Sequence, residues 1–195
     1  MAASYPTSIK SFTTKQDDVD DVLAEHINSL QDEVVALETQ LGVNWKGVVQ
    51  VVNNQESSYQ TCSTNIPFDD TIPQNTEGDQ LLSVTITPKS ATNKLLIEVI
   101  VHGANSISSY PAAALFHTVG GIAVASALAA SWDYANANMG QVKFSYFMTA
   151  GEIVAKTFTV RVGSSSGNFY ANGDSSARKY GGVAYSSITV KEIKV

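Results

Sequence analysis

The chain has 195 residues, 44% of them hydrophobic and 15% charged, with a formal net charge of −6 and a pI near 4.9. That length carries one full core plus an appendage but is short for two full-sized domains. The acidic balance excludes a nucleic-acid partner, since only Arg178 and Lys179 adjoin as cations, and the lone Cys62 excludes an intrachain disulfide and a Cys-based zinc site.

In chain order, residues 1–12 hold one lysine and no apolar run, so both parts of a secretory signal are missing. Asp17, Asp18, Asp20 and Asp21 then supply groups that cap free backbone N–H groups and complement the positive end of a helix dipole. Leu23, Ile27, Leu30, Val34, Leu37 and Leu41 follow at steps of 4, 3, 4, 3 and 4, the seam of a left-handed coiled coil. Gly42, the first of 13 glycines, is placed to end this helix as a left-handed C-terminal cap. Residues 17–41 contain no Lys or Arg, so the ion pairs that support a solitary helix are absent and stability has to come from association. With Ile27, Val34 and Leu41 at a and Leu23, Leu30 and Leu37 at d, a parallel arrangement sets Glu33 near a neighbour's Glu38. About three self-repelling heptads make a weak stalk, so the rest of the chain has to hold the oligomer. The plain alternative is an amphipathic helix packed on its own head.

From Val48 onward the hydrophobic period changes from 3.5 to 2. Leu82, Val84 and Ile86; Val142, Phe144, Tyr146 and Met148; and Val154, Lys156, Phe158, Val160 and Val162 each alternate with polar or outward positions. Residues 94–101 (KLLIEVIV) are apolar on both faces except Glu98, as in a central or interface strand. Residues 99–132 carry no Asp, Glu, Lys or Arg, but they are built from Ala, Ser and Gly around His117 and Gly120-Gly121. That composition reads as a buried β-hairpin or subunit contact and not as a membrane span. Within it, the Ala-rich residues 122–132 could be helical by propensity. Eight or nine short strands between Gly and Pro punctuation make the fold mainly β: an antiparallel, jelly-roll-like β-sandwich head over 43–195, preceded by an α-helical coiled coil over 17–42.

Catalytic and metal signals are nearly absent. His26, His102 and His117 are far apart and match no paired metal motif. No nucleophile elbow, phosphate-binding loop or dinucleotide fingerprint occurs, so the chain is expected to be no enzyme and to need no cofactor. Asp69, Asp70, Glu77 and Asp79 carry oxygens of the kind Ca²⁺ prefers, off the EF-hand spacing; turn chemistry around Pro67 and Pro73 is the competing account. Aromatic residues near turns, Tyr59, Tyr110, Trp132, Tyr134, Phe169, Tyr170 and Tyr180, are candidates for sugar-stacking or protein-contact platforms, with core packing as the alternative for each.

Two stretches carry a resemblance. Residues 8–42 place Ala24, Asn28, Leu30, Gln31 and Glu33 ahead of Glu38, Leu41 and Gly42, which resembles the N-terminal segment of bacteriophage fibre and tail proteins, one spacing apart. Residues 66–101, with the terminal GGVAYSSITVKEIKV, look like the β-head of phage tail-fibre or head-fibre proteins. The resemblance implies a homotrimer assembled in the host cytoplasm into a virion. Residues 1–16 would attach it to other virion proteins, and the head would meet a host cell-surface receptor or glycan. A receptor-binding tail fibre is the leading reading, a capsid fibre or decoration protein is the runner-up with which the sequence is also compatible, and a carbohydrate-active tailspike is a more distant alternative. Ile and Val at a with Leu at d favour two strands in an isolated coiled coil, whereas the resemblance implies three.

Overall fold

A computed structural model describes residues 21, 23–43, 45–119, 121–131, 133 and 138–195. The chain divides into two compact units, Met1–Gly47 and Val48–Val195.

The first unit contains α1, Ala24–Glu38. Of the four aspartates expected to cap it, Asp17, Asp18 and Asp20 lie outside the described residues. The N-cap position is Leu23, in extended conformation with no side-chain cap. Its N–H donates to Nδ1 of His26 at 3.0 Å, while the His26 N–H donates to the Leu23 carbonyl, so the histidine takes the reaching-back role of a capping box. The expected left-handed Gly42 cap is also corrected: α1 runs into a π-helical turn, Thr39–Val43, and Gly42 lies inside it without a positive φ. The six seam side chains are each 40–58% exposed in the single chain.

Among the described residues the second unit contains ten strands: β1 Val48–Glu56, β2 Gln60–Cys62, β3 Asp79–Ile86, β4 Lys94–Asn105, β5 Pro111–Val119, β6 Ile122–Ala130, β7 Gly140–Thr149, β8 Lys156–Ser164, β9 Phe169–Ala171 and β10 Ser186–Ile193. One sheet runs β1-β10-β4-β7, with β9 on the far end of β4 carrying β2; the other runs β3-β8-β5-β6. All pairs are antiparallel and the main ones are nested, β1 with β10, β3 with β8, β4 with β7 and β5 with β6. Nesting of this kind arises when one long double strand rolls up, and it defines a jelly roll.

The alternating positions of β3, β4, β8 and β10 fill the space between the sheets. Leu95, Ile97, Val99 and Val101 of β4 and Ile188 and Val190 of β10 meet Leu82, Val84, Ile86, Phe158, Val160 and Val162. As expected for a central strand, β4 is flanked along its length, by β10 on one side and β7 on the other. Its outer face keeps Leu96 half-buried and Ile100 exposed. Val154 does not extend the alternation of β8; it sits exposed in the preceding turn.

The charge-free segment comprises the end of β4 and the hairpin β5-β6, and the helical option for residues 122–132 is overturned over β6. Alanine's helical advantage is under about 1 kcal/mol per residue. Pairing with β5 from Ala112↔Ala130 to Val119↔Ile122 outweighs it, with Ala127 and Ala129 packed on the core. Strand β5 is buried on both faces because residues 63–78 cover its outer side. There Ile66 joins Ala112, Ala114 and Phe116 in a second small core. Arg161 of β8 straps this segment down, its guanidinium donating to the carbonyls of Glu77 at 2.8 Å and Gly78 at 2.6 Å.

Candidate functional site

Most of the aromatic candidates lie at one end of the sandwich, where β1, β4, β6 and β8 finish and β5, β7 and β10 begin. Tyr110, just before β5, stacks on Phe68 with ring centroids 3.9 Å apart and planes within 5°. Phe68 is 64% exposed, so the pair forms a platform of which sequence reading found only one half. Tyr170 of β9 stacks more loosely on Tyr59, 6.2 Å away. Phe169 is corrected: it is buried in the main core. Its ring lies where Gly103 leaves room, a Cβ at that glycine falling 2.3 Å from the Phe169 ring. Trp132 and Tyr134 lie outside the described residues.

A polar network ties the strands together at this end. Asn172, fully buried with φ at +58°, donates from its amide to the carbonyls of Glu56 and Ser58 and accepts from the Ser186 hydroxyl at 2.8 Å. Ser186 in turn accepts from the His102 N–H. One side chain thus joins the ends of β1, β4 and β10, and Asn tolerates the left-handed backbone that the position requires. Asp174 accepts from the Lys179 ammonium at 2.7 Å, the Ser176 hydroxyl and two backbone N–H groups. Lys179 first and Ser176 second hold its carboxyl well below the usual carboxylate range.

On this scaffold lies an open depression of about 450 Å³ lined by His102, Met139, Gly140, Gln141, Tyr180 and Ala184. The Gln141 amide donates to Nε2 of His102 at 3.0 Å, which leaves Nδ1–H to donate to the Tyr185 carbonyl at 2.8 Å. The imidazole is therefore clamped from both sides, and Gln141 is oriented by it. Tyr180 stands at the rim, 74% exposed with φ at +52°. Gly181 and Gly182 continue in the left-handed region at +62° and +89°, where glycine is at ease. A tyrosine there costs roughly 1–2 kcal/mol of backbone strain, and so exposed a ring recovers little of it by packing. Strain of this kind gathers at functional sites.

The other sequence candidates are scattered. Asp79 accepts from the Ser63 and Thr64 N–H groups and the Thr64 hydroxyl. Asp69 accepts from the Thr71 N–H and hydroxyl, and Glu77 from the Gln74 N–H; Asp70 is exposed. Asp69 and Glu77 therefore do turn chemistry and Asp79 ties residues 63–64 to the start of β3, and among the described residues no group of three His, Cys, Asp or Glu side chains converges on a metal position. His26 begins α1, His102 belongs to the depression, and His117 pairs with the Ser126 hydroxyl. Burial, then Lys156, lowers the His117 pKa. His102, Gln141 and Tyr185 gave no motif; only Tyr180, as an aromatic beside two glycines, could have been picked out from sequence.

No protein-family model and no curated protein sequence matches the chain. Solved structures with a similar course include the Eiger TNF of S. frugiperda, 15% identical, covering 74% of this chain and 93% of that one with a TM-score of 0.44. They also include a T13 viral particle of infectious bursal disease virus, 11% identical over 74% of this chain and 37% of that one, TM-score 0.39. The VP2 subviral particle of the same virus is 10% identical over 75% of this chain and 40% of that one, TM-score 0.36. The chain spans less than half of either viral protein.

Proposed function

We propose that this chain is a bacteriophage virion structural protein, a homotrimeric tail fibre that acts by binding and not by catalysis. In this reading residues 1–16 attach it to other virion proteins, and the loop end of the β-sandwich meets the host cell surface. The observation that carries the reading is the six-residue apolar stripe from Leu23 to Leu41, exposed along its whole length on a helical segment without Lys or Arg. A stripe of that spacing is covered by copies of itself. The number three, and the virion, come from the resemblance of residues 8–42 and 66–101 to phage fibre proteins. Three identical heads then turn weak single contacts into firm attachment through avidity.

Sedimentation at micromolar chain concentration tests assembly, with three times the 20.8 kDa chain mass expected and a monomer overturning the proposal. Labelled protein is expected to bind host cells and compete with phage adsorption. Antibody on the capsid and none on the tail in micrographs would replace the tail fibre with a capsid fibre or decoration protein. Turnover of host polysaccharide would overturn the non-enzymatic reading.

A further inference from the structure

We infer that the depression formed by His102, Gln141 and Tyr180 is a binding site for an uncharged saccharide ring, with Tyr180 as its stacking platform; this rests on reading the head as a binding module. The six lining residues include no Asp, Glu, Lys or Arg; of the cations nearby, Lys179 is occupied by Asp174 at 2.7 Å and the Arg178 guanidinium lies against Gly182, outside the lining. A site without charge selects a ligand without charge, because an ion would lose its hydration with nothing to replace it. What the site offers is an aromatic face and a few placed polar groups, the combination that recognises a ring with one apolar face and hydroxyls at its edge. Among the described residues the Gln141 amide oxygen and the Tyr180 hydroxyl have no protein partner, so both can serve hydroxyls. The clamp on His102 keeps Gln141 in place beforehand, and the run of three left-handed residues turns the Tyr180 ring outward, so ordering costs are low at the moment of binding.

The test is saturation-transfer NMR of the full chain with methyl glucoside, methyl galactoside, methyl rhamnoside and N-acetylglucosamine. At least one is expected to bind with a Kd on the order of 1 mM. Tyr180→Gly should weaken that binding about tenfold or more, and Tyr180→Phe much less, while Gln141→Leu removes the hydroxyl partner and also weakens it. Tyr180→Gly relieves the strained φ, so a urea midpoint at or above that of the wild type shows that the fold is kept. No transfer to any of the four sugars at about twenty times that Kd, or equal transfer to the Tyr180→Gly protein, would overturn the site. Host-cell binding that survives Tyr180→Gly undiminished would overturn this site while leaving the fibre reading standing; failure of the wild-type chain to bind cells is the distinct failure of that reading.

Discussion

Glu192 of β10 is fully buried, and replacing it tests whether a charged group can be part of this core. One carboxylate oxygen accepts from the Lys89 N–H at 2.8 Å, the Ser90 N–H at 3.3 Å and the Asn93 amide at 2.5 Å; the other accepts from the Gln50 amide at 2.5 Å. Burial by itself raises the pKa, but the donors, Asn93 and Gln50 foremost, outweigh it and hold the group below its ordinary 4.5. In Glu192→Ala the Lys89 and Ser90 N–H groups and the Asn93 amide lose their acceptor inside the protein, whereas Gln50 keeps its bond to the Thr87 carbonyl. At about 1–3 kcal/mol for each stranded donor, with some water entering the gap, the loss is about 3 kcal/mol. Glu192→Gln keeps one oxygen for the three donors on that side and disturbs only the contact with Gln50, so it should cost about 1 kcal/mol. Urea unfolding followed by far-UV circular dichroism at fixed chain concentration measures both, the concentration being held because assembly adds to apparent stability. The pH dependence follows from the lowered pKa: below about 4.5 the unfolded chain takes up the proton first, so this contribution is present above that pH and lost as pH falls through the folded value. Glu192→Gln should flatten that acid limb. If Gln proved as damaging as Ala, or if both changed stability by less than about 0.5 kcal/mol, the argument from satisfied donors would fail.

The Cys62 thiol, pushed up to about 12 by burial and then by Asp79, should resist Ellman's reagent in the native protein and titrate one equivalent per chain in urea; rapid native labelling would show that β2 opens. Gly103→Ala puts a methyl 2.5 Å from the Tyr170 carbonyl as well as against Phe169 and should cost about 3 kcal/mol of stability. Gly140→Ala, whose nearest neighbour is 4.0 Å away, is the control expected to be far milder. Replacing Leu30 and Leu37 together by Ser should lower the helical signal at 222 nm while sedimentation still reports the assembled mass, since the head is expected to carry most of the subunit contact. Dissociation to monomers would reverse that assignment.

Periodicity alone made much of the molecule legible. The 4-3 spacing from Leu23 to Leu41 marks α1, and alternation at residues 82–86, 142–148 and 158–162 marks β3, β7 and β8 with the correct faces inward. Both signals are local, because the direction of a side chain relative to its own backbone is set by the helix or strand period. Neighbour relations are not local. Ala-rich β6 is a strand because β5 lies beside it, Phe169 is core because Gly103 clears space 66 residues earlier, and Glu192 is tolerable because donors from residues 50, 89, 90 and 93 close around it. Tyr180, which sequence reading had only as one aromatic among seven, meets His102 and Gln141 across a nested strand order. The sequence by itself therefore determined a striped helix followed by a two-layer β-head. Only the tertiary structure decided which aromatics face outward and which polar groups converge, because strand order, and with it every contact between residues distant in the chain, is chosen by the packing of the whole head.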